Sequence, residues 1–304
     1  MNDGKAYDVT GDIHGHLGKL EALLRALGYA SDGAGWVPPP GRQAVFLGDL
    51  IDRGPQQVEV IRLVRGMVER GDALCILGNH ELNAIGWFDG LRNRSPNKRA
   101  QHAEFLRQVG EGSQLHREIV DWLRGLPLFL DLGDIRVVHA WWHPQSLEVI
   151  AESYWNGQRI CDRFLRAAFE KGSPVWHAVE GVSKGLEVRL PDGASFVDHA
   201  GVERKEVRIR WWLDDVGSLR EAAIVPGEQE DAVPDVPLPP GCELGVPAGA
   251  PVFVGHYWMR GRPRLLAPRL ACLDWSVGGD GPAVAYRWDG EAELSEDRLV
   301  AAGA

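Results

Sequence analysis

Six short runs of β-forming residues stop abruptly at Gly, Asn, Asp or His: Tyr7–Thr10, Ala44–Leu47, Ala73–Leu77, Ile135–Val138, Val252–Val254 and Leu270–Leu273. Segments of helical spacing separate the first three. Leu17, Leu20, Leu24 and Leu27 recur at i, i+3, i+7 and i+10. Val58, Ile61, Val64 (or Arg65) and Val68 repeat that spacing after Pro55, which suits a first helical turn. The order β-α-β-α-β predicts an α/β fold with a mostly parallel sheet at the N-terminal end. A further helix is predicted over Ser113–Arg124, with Leu115, Ile119, Trp122 and Leu123 on one side, ending before Gly125-Leu126-Pro127.

The middle of the chain is less regular. Gly86–Arg99 reads as a loop carrying four cations, Arg92, Arg94, Lys98 and Arg99. Residues 147–184 read as helical. Strands are then expected at Leu186–Leu190, Ser195–Val197 and Val207–Trp212, with a Pro191-Asp192-Gly193 turn after the first. Residues 226–251 carry seven prolines and read as an ordered surface loop. One domain is expected over 1–304, with irregular insertions at about 86–112 and 145–250.

The strand ends carry the chemistry. They read Gly11-Asp12-Ile13-His14-Gly15, Gly48-Asp49-Leu50-Ile51-Asp52-Arg53-Gly54, Gly78-Asn79-His80-Glu81, Val138-His139 and Gly255-His256. Ligands of open α/β sheets bind beyond the carboxyl ends of the strands. Hard oxygen donors and imidazoles delivered there on glycine-rich turns are what a metal site needs. Each motif alone is weak, but their joint occurrence after β-type runs is not expected by chance.

Together these motifs resemble the calcineurin-like metallophosphoesterases, specifically the phosphoprotein phosphatase branch, whose second motif continues into Asp-Arg-Gly. The resemblance covers 7–85, 135–140 and 251–275. It implies an α/β/β/α sandwich of two mixed sheets flanked by helices. It also implies two divalent metals about 3.5–4 Å apart. Carried over by motif, Asp12 and His14 bind the first metal, Asp49 bridges both, and Asn79, His139 and His256 bind the second. A carboxylate suits bridging because both its oxygens accept, and neutral imidazole suits Mn, Fe, Zn or Co, with Mn placed first. The implied reaction is direct attack on phosphorus by hydroxide held between the metals. Arg53 would grip phosphate oxygens as a planar fork, and His80 would protonate the leaving group with Asp52 orienting its other nitrogen. Asp52 also reads as a helix N-cap.

Weaker candidates surround these. Glu81 reads as a supporting carboxylate and not a ligand. Trp141 reads either as a bulky wall of the substrate cleft or as core. It begins Trp141-Trp142-His143, where the family commonly places glycines. Arg260, Arg262 and Arg264 alternate after His256, either as phosphate holders or as a solvated face. Asp274 reads as support for the metal ligands or as a turn residue.

The expected activity is hydrolysis of phosphate monoesters, on phosphoproteins or small phosphates. The alternative is a dinucleoside polyphosphate or RNA-end phosphohydrolase, and a third reading is a non-catalytic binding module. Residues 186–212, with Arg189-Leu-Pro-Asp-Gly193 and Arg210-Trp211-Trp212, resemble a stretch of bacterial symmetrical diadenosine tetraphosphatases. The 12 tryptophans could stack a nucleobase or fill the core.

The formal charge of −10 argues against general nucleic-acid binding. It does not argue against one phosphate in a metal-loaded cleft. There, two divalent ions and Arg53 outweigh Asp12, Asp49 and a hydroxide. Cys75, Cys161, Cys242 and Cys272 form no CxxC, which suits a reducing compartment. The first residues lack a basic segment followed by an apolar one, and no apolar run approaches the roughly 18 residues of a membrane span. A cytoplasmic location without membrane partners is expected.

Overall fold

A computed structural model describes residues 6–31, 33, 35–154, 160–198 and 201–303. The N-terminal pentapeptide used above, and residues 155–159 of the helical region 147–184, lie outside the described residues. Contacts divide the chain into two compact units, residues 1–183 with 250–304, and residues 184–249. Residues 184–249 fall within the insertion expected at about 145–250.

The first unit holds two mixed sheets. The larger is built from β1 (Ala6–Thr10), β2 (Arg42–Phe46), β3 (Ala73–Cys75), β8 (Ala283–Trp288) and β9 (Leu299–Ala302), in the order β9-β8-β1-β2-β3. Strands β1, β2 and β3 run parallel, as the β-α-β-α-β reading predicts, and β8 joins β1 antiparallel. The smaller sheet has the order β7 (Leu270–Cys272), β6 (Val252–Val254), β5 (Arg136–Val138), β4 (Phe129–Asp131). Tyr7, Val9 and Val45 of the first sheet pack with Val137, Phe253 and Ala271 of the second in one buried core. Alternation along each strand produces this, since residues i and i+2 share a face. Helix α1 (Leu17–Ala26) buries Leu20, Leu23 and Leu24, and α2 (Gln57–Arg70) buries Val58, Ile61 and Val64.

Pro55 stands two residues ahead of α2 and not in its first turn. Its neighbours are committed elsewhere: Gly54 N–H donates to the His14 carbonyl at 2.8 Å and Gln56 N–H to the Gly15 carbonyl at 3.0 Å. The N-cap position is therefore Gln56, and the N-cap reading of Asp52 does not hold.

Residues 86–112, expected to be irregular, are largely helical. Helix α3 (Asn79–Phe88) runs through Gly86. A Cβ there would lie 2.1 Å from the Phe169 ring, so this glycine marks a close ring contact and not a break. Helix α4 (Pro96–Val109) starts with Pro at a position where no N–H is needed. It buries His102, Phe105, Leu106 and Val109, at i, i+3, i+4 and i+7. Lys98 and Arg99, expected in a loop, are thus helical. Helix α5 (Gln114–Leu123) follows, with the Ser113 side chain accepting from His116 N–H. Three further helices, α6 (Pro144–Tyr154), α7 (Asp162–Phe169) and α8 (Pro174–Lys184), occupy the described part of the region expected to be helical. Among the described residues no helix is long and apolar enough to cross a membrane.

The second unit has its own core, including Val188, Phe196, Val207, Ile209, Leu219 and Val233. Strands Glu187–Arg189, Glu206–Ile209 and Ala223–Ile224 form its antiparallel sheet. The strand expected to reach Trp212 ends at Ile209, and Trp211 and Trp212 are both buried. Within the proline-rich stretch, a short 3-10 turn at Gly227–Ala232 is the regular helical element among the described residues.

Candidate metal centre

The motif residues converge within the first unit. Asp12 and His14 follow β1, Asp49 follows β2, Asn79 and His80 open α3 after β3, His139 follows β5, and His256 follows β6. Each strand delivers its polar residue on the turn beyond its carboxyl end. His14, Asp49, Asp52, Arg53, His256 and Trp258 sit at positive φ, between 47° and 73°. For non-glycine residues this costs about 1–3 kcal/mol each and concentrates where function requires a fixed direction. Two glycines make room for the carboxylates. A Cβ on Gly78 would lie 2.1 Å from Asp49 Oδ1, and one on Gly255 would lie 2.1 Å from Asp12 Oδ1.

Asp49 is the centre of the arrangement. Its Oδ2 lies 3.6 Å from His14 Nε2, 3.3 Å from His139 Nε2 and 3.8 Å from His80 Nε2. Its Oδ1 accepts the backbone N–H of His80 at 3.0 Å. Two groups of donor atoms close enough together to hold a metal ion share it, one with His14 and His80, the other with His139 and His256. Asn79 Oδ1 lies 3.2 Å from His139 Nε2, and Asp12 Oδ2 lies 3.8 Å from His14 Nε2.

The ring nitrogens are oriented for this task. His14 Nδ1–H donates to the Ile51 carbonyl at 2.8 Å, and His139 Nδ1–H donates to the Leu47 carbonyl at 2.7 Å. The His14 Nε2 lone pair faces the carboxylates. Burial pushes His139 down, but the Asp49 charge and hydrogen bond outweigh it and raise it to about 10, so without a metal its Nε2 carries a proton toward Asp49 that a bound cation would replace. Burial pushes His14 down to about 3, so its imidazole is neutral at pH 7. His14 Nε2 is buried with no hydrogen-bond partner among the described residues. An orphaned buried acceptor costs about 1–3 kcal/mol, which a bound cation would recover. Burial, then the Asp274 charge, raises Asp12 well above the ordinary carboxylate range. Buried carboxylates crowded this way favour a divalent cation. The residues present therefore fit a two-metal centre.

Glu81 supports the cluster without joining it. Its Oε2 accepts from Asp49 N and Gly78 N at 2.7 and 3.0 Å, and its Oε1 from Leu50 N and Ile51 N at 2.8 and 3.3 Å. Burial, then the Asp49 charge, pushes its carboxyl up to about 7. Replacing Glu81 by Ala leaves these buried donors unsatisfied. We expect it to destabilise the metal-free protein by about 3–5 kcal/mol, read as a lower urea midpoint. A midpoint within error of the parent would show that the loop holds itself.

Asp52 turns away from the metal cluster. Its Oδ2 accepts His80 Nδ1–H at 2.6 Å and its Oδ1 accepts His102 Nδ1–H at 2.8 Å. Burial pushes Asp52 up, but the bonds from His102 and then His80 outweigh it and hold the carboxyl at about 2. His102 was not legible in the sequence as a site residue. The one signal for it is a histidine on the apolar stripe of α4.

Arg53 is exposed beside the centre, its guanidinium 4.4 Å from the centroid of the Trp258 ring. Trp258 is 44% exposed and was also missed, although it stands two residues after His256. Its backbone N–H donates to Asp274 Oδ2 at 2.8 Å, and the Ser276 backbone N–H donates to Asp274 Oδ1 at 3.0 Å. Asp274 thus braces the loop that presents Trp258.

The weaker substrate candidates fare differently. Trp141 is buried and stacked on His143, ring centroids 4.1 Å apart, with Gly181 of α8 packed beneath it. That is the core alternative, so its reading as a cleft wall is withdrawn. Arg260, Arg262 and Arg264 are exposed, but a bend with Gly261 at φ +84° interrupts the extended run. The common face expected of them therefore does not form, and Arg260 gains no support as a phosphate holder.

A profile of the calcineurin-like phosphoesterases matches residues 7–214, more than half of the chain. The chain belongs to that family, whose members are divalent-metal-dependent phosphoesterases. It is 27% identical over 292 residues to a symmetrical bis(5'-nucleosyl)-tetraphosphatase of Methylococcus capsulatus, covering 93% of this chain and 91% of the relative. It is 47% identical over 75 residues to the asymmetrical bis(5'-nucleosyl)-tetraphosphatase PrpE of Bacillus subtilis. That match spans 25% of this chain and 31% of the relative, and the Oceanobacillus iheyensis counterpart is spanned over 54% of its length. A protein serine/threonine phosphatase from Saccharomyces cerevisiae shares the fold, with a TM-score of 0.50 at 16% identity, covering 100% of this chain and 81% of that one.

Proposed function

We propose that this chain is a two-metal phosphohydrolase acting on dinucleoside polyphosphates of the diadenosine tetraphosphate type. The observation that carries the chemistry is the sharing of Asp49 by two ligand clusters. In this reading Asp12, His14 and Asp49 hold one metal and Asp49, Asn79, His139 and His256 the other, with Mn2+ the metal proposed first. When bound, the metals supply hydroxide at neutral pH and neutralise phosphate charge. The chain's own residues do the rest. Arg53 presents a bidentate fork to phosphate oxygens. His80, its Nδ1–H committed to Asp52, offers Nε2 to the leaving group.

Two observations support the nucleotide substrate over the phosphomonoester placed first in the sequence reading. The relative matched over nearly the whole chain is named for a dinucleoside tetraphosphate. The exposed indole of Trp258, stacked on Arg53, offers a nucleobase a flat surface next to the phosphate grip.

The test is hydrolysis, by protein loaded with Mn2+, of diadenosine tetraphosphate, a phosphoserine peptide and p-nitrophenyl phosphate. The dinucleotide is expected to lead in kcat/KM by about tenfold or more, the worth of one stacked base. A faster phosphopeptide overturns the substrate reading, and no hydrolysis of any of the three overturns the enzyme reading. Trp258→Ala is expected to lower kcat/KM on the dinucleotide by about tenfold, while an alkyl phosphate changes by less than about fivefold. Equal losses on both would leave Trp258 as a brace for Arg53 only.

A further inference from the structure

Helix α4 brings a second imidazole to the residue that orients His80. His102 is fully buried, between the rings of Phe105 (centroid distance 4.8 Å) and Trp87 (6.0 Å). A carboxylate oxygen only accepts, so the 2.8 Å contact with Asp52 Oδ1 places the His102 proton on Nδ1. His102 Nε2 is buried with no hydrogen-bond partner among the described residues. A buried imidazole that leaves one nitrogen unsatisfied is a costly way to fill a core, whereas Leu or Phe would fill it without that cost. The retained polar group has one visible product, the bond to Asp52.

That bond matters because a carboxylate rotates easily about its terminal torsion, which has broad, roughly two-fold wells. Held through Oδ2 alone, Asp52 could swing and carry the His80 ring with it. With Oδ1 pinned by His102, Oδ2 by His80 and the backbone N–H by Gln57 Oε1 at 2.9 Å, the carboxylate has one orientation. The His80 ring is thereby locked with Nδ1 protonated and Nε2 toward Asp49.

We infer that His102 is a positioning residue that acts through Asp52 to aim His80 at the leaving group. The inference rests on the phosphohydrolase reading above for its kinetic consequence, but not for its structural one.

The test combines kinetics with a spectroscopic readout. In Mn2+-loaded protein, His102→Leu should lower kcat on an alkyl phosphate by about tenfold with KM within about twofold, the usual cost of losing an outer hydrogen-bond partner. On p-nitrophenyl phosphate, whose leaving group needs little protonation, the loss should stay under about threefold. His102→Asn, whose amide N–H can replace Nδ1–H, should recover most of the rate. The double variant His80→Ala/His102→Leu should be no slower than His80→Ala. In metal-free protein, the downfield Nδ1–H proton of His80 should be sharp in the parent and in His102→Asn, and broadened or lost in His102→Leu. Additive losses in the double variant, equal losses on both substrates, or an unchanged His80 proton would overturn the inference. If the parent hydrolyses no phosphate ester, the functional reading fails while the proton spectrum still decides the role of His102. If His102→Leu does not fold, His102→Asn against His102→Gln, which moves the donor by one bond, makes the same comparison.

Discussion

Asp49→Asn protein is expected to hold less than one tightly bound metal per chain and to lose activity by about a thousandfold or more. The reason is the sharing of one carboxylate. Asp49 Oδ2 lies within 3.8 Å of the Nε2 atoms of His14, His80 and His139, so one substitution touches both clusters. Asn has the same shape, and the space cleared by Gly78 accommodates it. What changes is charge: one negative charge and one oxygen acceptor go, and two N–H donors appear where cations are to sit. Losing the ions removes both the source of hydroxide and the neutralisation of phosphate, which accounts for the size of the effect. Metal analysis after gel filtration, with the activity assay, checks it. A variant that keeps two tightly bound metals refutes bridging by Asp49.

For His80→Ala the expected pattern is the reverse: metal content unchanged, rate lost. Loss of a general acid costs about 10²–10⁴-fold where the leaving group must be protonated. On alkyl phosphates the fall should lie in that range, and on p-nitrophenyl phosphate it should be about tenfold or less. The geometry makes the experiment decisive, because His80 Nε2 also lies 3.8 Å from Asp49 Oδ2 and belongs to a cluster with His14. Were His80 a ligand, metal content would drop and both substrates would suffer alike. Its Nδ1–H is committed to Asp52 at 2.6 Å, the arrangement that suits proton transfer at Nε2.

The fold was legible where the signal is local. Runs of β-forming residues and helical spacing located β1, α1, β2, α2 and β3 to within a few residues, because these signals lie in each element's own residues. A glycine or a cluster of cations is not by itself a loop signal. Gly86 is small because Phe169, 83 positions away in sequence, packs on it. Lys98 and Arg99 lie on a helix whose buried face was not recognised. Pro55 sits outside α2 because its flanking N–H groups bond to the turn around Gly15.

The same division runs through the site. That Asp12, His14, Asp49, Asn79, His139 and His256 are candidate ligands is legible in the chain, because each stands just past a β-type run and together they match the motifs of the family they resemble; that the runs belong to two sheets is not. Which atoms face each other was decided by tertiary structure. Asp49 came to the centre, Trp141 went into the core, and Arg260 was left beyond a bend. Trp258 and His102 entered the site from a loop braced by Asp274 and from a helix packed beside Asp52. No spacing rule marks such residues, since their partners are 16 and 50 positions away and only packing sets the distance between them.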